Sequence, residues 1–124
     1  MPYIWAVDNA LHTVAFTSGF LAQAKGEGVT EAELAALVQT LAVNPEAGDM
    51  IVGSGGCRKL RLAGRGKGKS GGYRVVTFYV STARPVYAIA VLSKGSRATF
   101  TAAEVAAMAG FARRIVTGAD LKAS

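Results

Sequence analysis

From Met50 to Ala103 the chain carries ten basic residues and no acidic one: Arg58, Lys59, Arg61, Arg65, Lys67, Lys69, Arg74, Arg84, Lys94 and Arg97. A stretch without counter-charges of its own cannot bury these side chains as internal ion pairs. It has to leave them on open faces and loops and build a core from the residues between them. In Cys57–Leu62 this is done by alternation. Lys59 and Arg61 fall on one face of an extended chain and Leu60 and Leu62 on the other, the pattern of a half-buried strand with a cationic face. Tyr73–Ser81 is rich in β-branched and aromatic residues and reads as a second strand. Val86–Leu92, apolar on both faces, reads as a central strand. Alternation sets Arg74 on the face of Val76 and Phe78, and the glycines before it allow a bulge that would re-aim its side chain.

The connections are glycine-rich. Gly48–Gly56 reads as a loop, Ala63–Gly72 as a second loop carrying Arg65, Lys67 and Lys69, and Thr82–Pro85 as a turn. Helices flank this region. Phe20–Lys25 reads as a short helix stopped by Gly26 and Gly28, after a short strand within Leu11–Phe16. Thr30 and Glu33 form the spacing of a capping box, Leu34, Leu37, Val38 and Leu41 give a buried stripe, and Asn44-Pro45 ends the helix. Thr101 and Glu104 repeat the capping box before a last helix with Val105, Met108, Ala112 and Ile115 on its buried side. Arg113 and Arg114 suit the negative end of that helix, and Gly118 stops it. The order is strand, two helices, three strands, one helix. This predicts an α+β domain, an antiparallel β-sheet with two N-terminal helices and one C-terminal helix packed on it. At 124 residues one domain is expected, over 11–118, with 1–10 as an N-terminal extension and 119–124 as a tail.

Several function classes are disfavoured. Cys57 is the single cysteine and His12 the single histidine, so neither a disulfide nor a metal site of ordinary ligand spacing is expected, and no cofactor is implied. No apolar run approaches the roughly 20 residues that span a bilayer, and the start lacks a basic-then-apolar leader; a cytoplasmic protein without membrane association is expected. The run Gly64–Ser70 invites comparison with a phosphate loop. Ala63 stands where that motif needs glycine, and the run joins two strands, not a strand to a helix. Cys57 lacks a neighbouring base and reads as a small strand residue, His12 as structural or exposed, and Tyr73 and Tyr79 as core or base-stacking residues; Trp5 has no assigned role.

The net charge is +6. Self-repulsion within the basic segment would be relieved by a polyanion, which points to nucleic acid. Lys59, Arg61, Arg74 and Lys94 are the candidates for one patch on adjacent strands. RNA is cut at its own 2′-hydroxyl when that oxygen loses a proton and attacks the adjacent phosphorus. Charge then grows on the phosphoryl oxygens, and the leaving 5′-oxygen needs a proton. Clustered lysines and arginines meet these needs, a crowded lysine exchanging protons and arginine clamping phosphate. Spacing alone leaves catalysis and passive binding both open.

Asn44–Ile51 with Gly53–Arg61, then Gly66–Val76, and Leu92-Ser93-Lys94 before a capped helix together resemble the HigB branch of the RelE toxin family. The resemblance covers roughly 11–118. It implies a toxin of a type II toxin–antitoxin system, a metal-independent endoribonuclease that cuts mRNA on the ribosome and so inhibits translation. It also implies a cognate helix-turn-helix antitoxin, HigA-like, as partner. The matching positions are Lys59, Arg61, Arg74 and Lys94 as the catalytic set, with Arg58, Arg65, Lys67, Lys69 and Arg97 as RNA contacts. Phe100 departs from the relatives that carry a catalytic tyrosine near the last helix, so no tyrosine role is expected. A ParE-like gyrase inhibitor and a basic nucleic-acid-binding module without activity are the alternatives. The basic strand argues against the first, and the macromolecule damaged on expression separates all three.

Binding to ribosomes or RNA is expected to weaken steeply with salt, because each phosphate contact releases counterions. Replacing Lys67 and Lys69 together by Ala should flatten a log–log plot of affinity against salt. Salt-insensitive binding would show that the basic segment is not the contact surface.

Overall fold

A computed structural model describes residues 3–5, 12–63, 72–93 and 100–118. Nine elements follow in chain order: β1 (Tyr3–Trp5), β2 (Val14–Phe16), α1 (Ser18–Glu27), α2 (Glu31–Val43), β3 (Asp49–Met50), β4 (Cys57–Leu62), β5 (Tyr73–Phe78), β6 (Val86–Ser93) and α3 (Ala102–Thr117). The strands form one sheet in the order β1-β2-β6-β5-β4-β3. The α+β class and the three helices agree with the sequence reading.

The sheet differs in one respect: it is mixed. β2 runs parallel to β6, while every other neighbouring pair is antiparallel. The reason is the connection. After β2 the chain leaves the sheet through α1 and α2, and a crossover of that length permits a parallel neighbour where a hairpin cannot. β1 and β3, of three and two residues, lie at the two edges. Strands of three and two residues leave no legible alternation, so β1 lay within the expected N-terminal extension and β3 within the expected loop.

Each face of the sheet has its own core. α1 and α2 cover one face, where Phe20, Leu37 and Leu41 pack with Phe16, Leu62, Val75 and Val91. α3 covers part of the other, where Met108, Ala112 and Ile115 pack with Cys57, Val76, Phe78 and Tyr87. Between β5 and β6 the register passes from Val76↔Ala90 to Thr77↔Ala88, so Ile89 is the extra residue of a bulge.

Caps set the helix ends. α1 begins earlier than the apolar pattern suggests, because the Thr17 hydroxyl accepts the Phe20 N–H at 3.0 Å. It also runs through Gly26 and ends at Gly28, whose φ of 77° is the left-handed cap conformation. Both expected capping boxes are present, Thr30 with Glu33 and Thr101 with Glu104. From within α1, the Gln23 side chain accepts the Val91 N–H at 3.1 Å, on β6 past its pairing with β2. Arg84, one of the ten cations of the basic stretch, turns inward: its guanidinium donates to the carbonyls of Ile115 at 2.6 Å and Val116 at 3.4 Å. A cation on the last carbonyls of α3 meets the negative end of the helix dipole and ties the helix to the β5–β6 turn.

Two substitutions should move stability in opposite directions. The Thr77 hydroxyl is fully buried and has no hydrogen-bond partner among the described residues. A buried hydroxyl left unpaired costs about 1–3 kcal/mol, so Thr77→Val should raise the midpoint of thermal unfolding. Arg84→Met keeps the stem and removes the bonds to α3, and should destabilise by about 1–2 kcal/mol in denaturant titration. An unchanged Arg84→Met midpoint would remove the clamp from the account.

Candidate functional site

The site begins with the pairing of three strands. In β4 and β5, Arg61 lies directly opposite Arg74 and Lys59 opposite Val76. On the far side of β4, Lys59 lies opposite Asp49 of β3. Directly opposed residues share a face, with Cβ atoms about 4.5–5.5 Å apart. Asp49, Lys59, Arg61 and Arg74 are therefore neighbours on one face, and with Gly48 and Leu60 they line a concavity of about 260 Å³. Arg61 is exposed and Lys59 and Arg74 are half-buried, so stems pack while the charged ends reach the concavity.

That face is the one on which α3 packs. The α3 core takes the Cys57, Val76 and Phe78 end of the ladder. Arg61 and Arg74 continue the same face toward Leu62 and Tyr73. The β4–β5 ladder runs unbroken from Leu62↔Tyr73 to Cys57↔Phe78, so plain alternation sets Arg74 on the face of Val76, and the bulge that the glycines before it would allow does not interrupt these pairs. That face is both the apolar face under α3 and the cationic face beside it, so no re-aiming is needed.

Two further residues hold the patch in shape. Gly48 has a φ of 98°, and a Cβ there would stand 2.4 Å from the Lys59 carbonyl oxygen. Only glycine allows that approach, which seats β3 against β4 and brings Asp49 to Lys59. Ahead of β4, the Ser54 hydroxyl donates to the Ile51 carbonyl at 2.6 Å and accepts the Cys57 N–H at 2.9 Å, closing the turn that feeds the strand. Neither Gly48 nor Asp49 was singled out from the sequence. The available signal was their position immediately before the acid-free stretch, on a strand too short to show a pattern.

Other candidates separate from the patch. Arg58 alternates to the opposite face from Lys59 and Arg61, and its guanidinium donates to the Gly48 carbonyl at 3.3 Å. Lys94, Arg65, Lys67, Lys69 and Arg97 lie outside the described residues. Cys57 is fully buried, and burial pushes its thiol up to about 11 despite the lowering effect of the Ser54 hydroxyl. Such a thiol stays protonated and unreactive at neutral pH. The His12 ring makes a 2.7 Å hydrogen bond through Nε2 to the Arg84 carbonyl and meets Tyr79 edge-on at 5.1 Å between centroids, a structural role. Tyr73 and Tyr79 pack against the α1–α2 core, and Phe100 against the α3 core.

A larger concavity, about 350 Å³, lies between α1 and α3 beside β6, lined mainly by apolar side chains that include Phe100, Met108 and Phe111. Its polar lining is Gln23, Glu104 and Arg114, a mixed-charge set rather than the grouped cations of the Lys59 patch. Among the described residues no group of three or more His, Cys, Asp and Glu side chains is placed to hold a metal ion. No helix among them is long and apolar enough to cross a membrane.

Arg61 opposite Arg74 is a like-charge pair on a sheet, an arrangement that is unfavourable by itself and is relieved by a bound anion. Two planar guanidinium groups and an ammonium on one concave face have the geometry to hold a phosphodiester and to stabilise charge that grows on it. Residues 13–123 match the sequence model described as the RelE toxin of the RelE / RelB toxin–antitoxin system. That match takes in β2 through α3, including every strand that builds the patch. The chain belongs to the RelE toxin family, the toxin half of a toxin–antitoxin pair.

Proposed function

We propose that this toxin is a ribosome-dependent mRNA endoribonuclease of the HigB branch, acting in the cytoplasm without a metal and blocking translation by cutting messages. Family membership implies an antitoxin partner; the branch makes that partner a HigA-like helix-turn-helix protein. The observation that carries the reading is the Arg61–Arg74 pair beside Lys59 on an open face.

In this reading the scissile phosphate sits between Arg61 and Arg74. Their fixed guanidinium planes hold its non-bridging oxygens and stabilise the added charge of the transition state. Lys59, beside them, serves proton transfer at the 2′-hydroxyl, and Lys94 assists the leaving 5′-oxygen or stabilises charge. The products are a 2′,3′-cyclic phosphate and a 5′-hydroxyl. Arg65, Lys67, Lys69 and Arg97 grip ribosomal or messenger RNA. Arg58 contributes there only from the opposite face of β4, through the long-range field of the basic surface. Ribosome dependence follows from the smallness of the site: one concavity on a sheet face positions a phosphate but not a whole RNA strand, so the ribosome supplies the orientation.

Expression of the chain without its antitoxin should arrest growth and cut mRNA within reading frames, mapped by 5′-end sequencing. Purified protein should cut free RNA poorly, and efficient cleavage of naked RNA would overturn ribosome dependence. Arg74→Ala should abolish growth arrest, with a rate loss of about 10²-fold or more for a lost preorganised charge. Lys94→Ala should act similarly, with Lys94→Arg rescuing only in part because arginine does not readily release a proton. Undiminished toxicity of a folded Arg74→Ala protein would remove the patch as the site.

A further inference from the structure

The roles above leave one lining residue unused. Asp49 is the carboxylate of the concavity, and the acid-free stretch begins directly after it. It is exposed, opposes Lys59 in the β3–β4 register, and is held there by the close approach of Gly48 to the Lys59 carbonyl. A carboxylate beside a phosphate site repels the substrate and weakens binding, so its placement there calls for a chemical role. Attack by a 2′-hydroxyl requires a proton acceptor. Lysine ordinarily holds its proton at neutral pH and acts first as a donor, whereas a carboxylate is ordinarily ionised and ready to accept.

We infer that Asp49 is the general base of the proposed RNA cleavage, taking the 2′-hydroxyl proton while the Lys59 ammonium opposite it serves as the proton donor of the pair. This inference rests on the endoribonuclease reading, and within it moves Lys59 from the 2′-hydroxyl to the leaving 5′-oxygen. The 2′-O–H bond breaks with its proton passing to the Asp49 carboxylate, and the freed oxygen pair forms the bond to phosphorus. The P–O5′ bond breaks, and the leaving oxygen takes a proton from Lys59. Asp49 then holds one proton too many and Lys59 one too few. Because the two are cross-strand neighbours, proton transfer from one to the other restores the starting state with no external acid or base. An acid and a base opposed on one ladder thus divide the chemistry that a lysine alone would have to perform in both directions.

The test uses the full chain, 70S ribosomes programmed with a 5′-labelled mRNA, and excess protein so that a single cleavage event is followed. Asp49→Asn keeps the size of the side chain and removes its basicity. Its cleavage rate at pH 7 should fall by about 10²-fold or more, while co-sedimentation with ribosomes stays equal or tightens. The variant's rate should rise more steeply with pH than that of the unaltered protein, as solvent hydroxide replaces the missing base. Asp49→Ala should be equally slow, and added formate should restore part of its rate. If Asp49 only neutralises Lys59, Asp49→Asn will bind more tightly and cut at least as fast, which overturns the inference. A loss without a changed pH profile and without formate rescue marks a structural role and overturns it too. Failure of the unaltered chain to cut mRNA overturns the endoribonuclease reading and this inference with it, whereas equal cutting by the unaltered chain and Asp49→Asn overturns this inference alone.

Discussion

The β4–β5 ladder carries both the core and the site, and its register decides which side chains belong to each. Leu60 pairs with Val75 and Leu62 with Tyr73 toward α1 and α2, while Arg61 pairs with Arg74 on the other side. Side chains alternate with a period of two, so a slip of one residue would drive Lys59 and Arg61 under two helices and turn the leucines outward. Unpaired buried charges cost several kcal/mol each. That penalty exceeds the local repulsion between Arg61 and Arg74, so the core imposes a like-charge contact that no surface interaction would have selected. Strain of this kind is where a bound anion gains most.

The uneven cover of the two faces explains where the site lies. α1 and α2 together fill their face from Phe16 to Leu62. α3 alone serves the other, and its core reaches Cys57, Val76 and Phe78. Its seat is fixed at three places. Gly55, with a φ of 78°, turns the chain before β4 beside α3, where a Cβ on it would meet Ala109 and Ala112 at 3.5 Å; Ser54 holds that turn closed; and Arg84 fastens the far end of the helix. These contacts leave the Arg61–Arg74 end of the face for polar chemistry. Under the proposed function, this stretch, uncovered among the described residues, is where a phosphate would enter, since a sheet roofed on both sides offers no entry.

Much of this was legible from residues alone, for identifiable reasons. The capping boxes at Thr30 and Thr101 are local, reciprocal interactions that depend on four residues each, and both formed as read. Alternation in Cys57–Leu62 placed Lys59 and Arg61 on one face because the strand is long enough to display its period. What escaped depends on distance. The parallel β2–β6 pair joins residues 14 and 86, and no local pattern encodes it. β3 has two residues, so the partnership of Asp49 with Lys59 exists only once Gly48 has brought the backbones together. Arg84 shared the charge of its segment but not its role, because a guanidinium answers the nearest acceptors, and here those are the last carbonyls of α3.

Charge segregation acquires a second meaning once the strands are placed. Ten cations in a stretch without acids would give a uniformly repulsive surface if all stood together. The fold divides the five described ones instead. Arg84 is turned to a helix end, Arg58 to the opposite face of β4, and Lys59, Arg61 and Arg74 to one concavity. Within that concavity the carboxylate comes from β3, across the Lys59 pairing, so charge changes sign between the Arg61–Arg74 pair and Asp49. A phosphodiester entering this gradient is drawn to the arginines and held off the carboxylate. Under the proposed function, the ribose beside the phosphorus, which in RNA carries the 2′-hydroxyl, would face Lys59 and Asp49. DNA, with no oxygen at that position, would occupy the same phosphate site without a nucleophile to offer. In that reading, binding by charge and reaction by sugar identity fall to two ends of one three-strand patch.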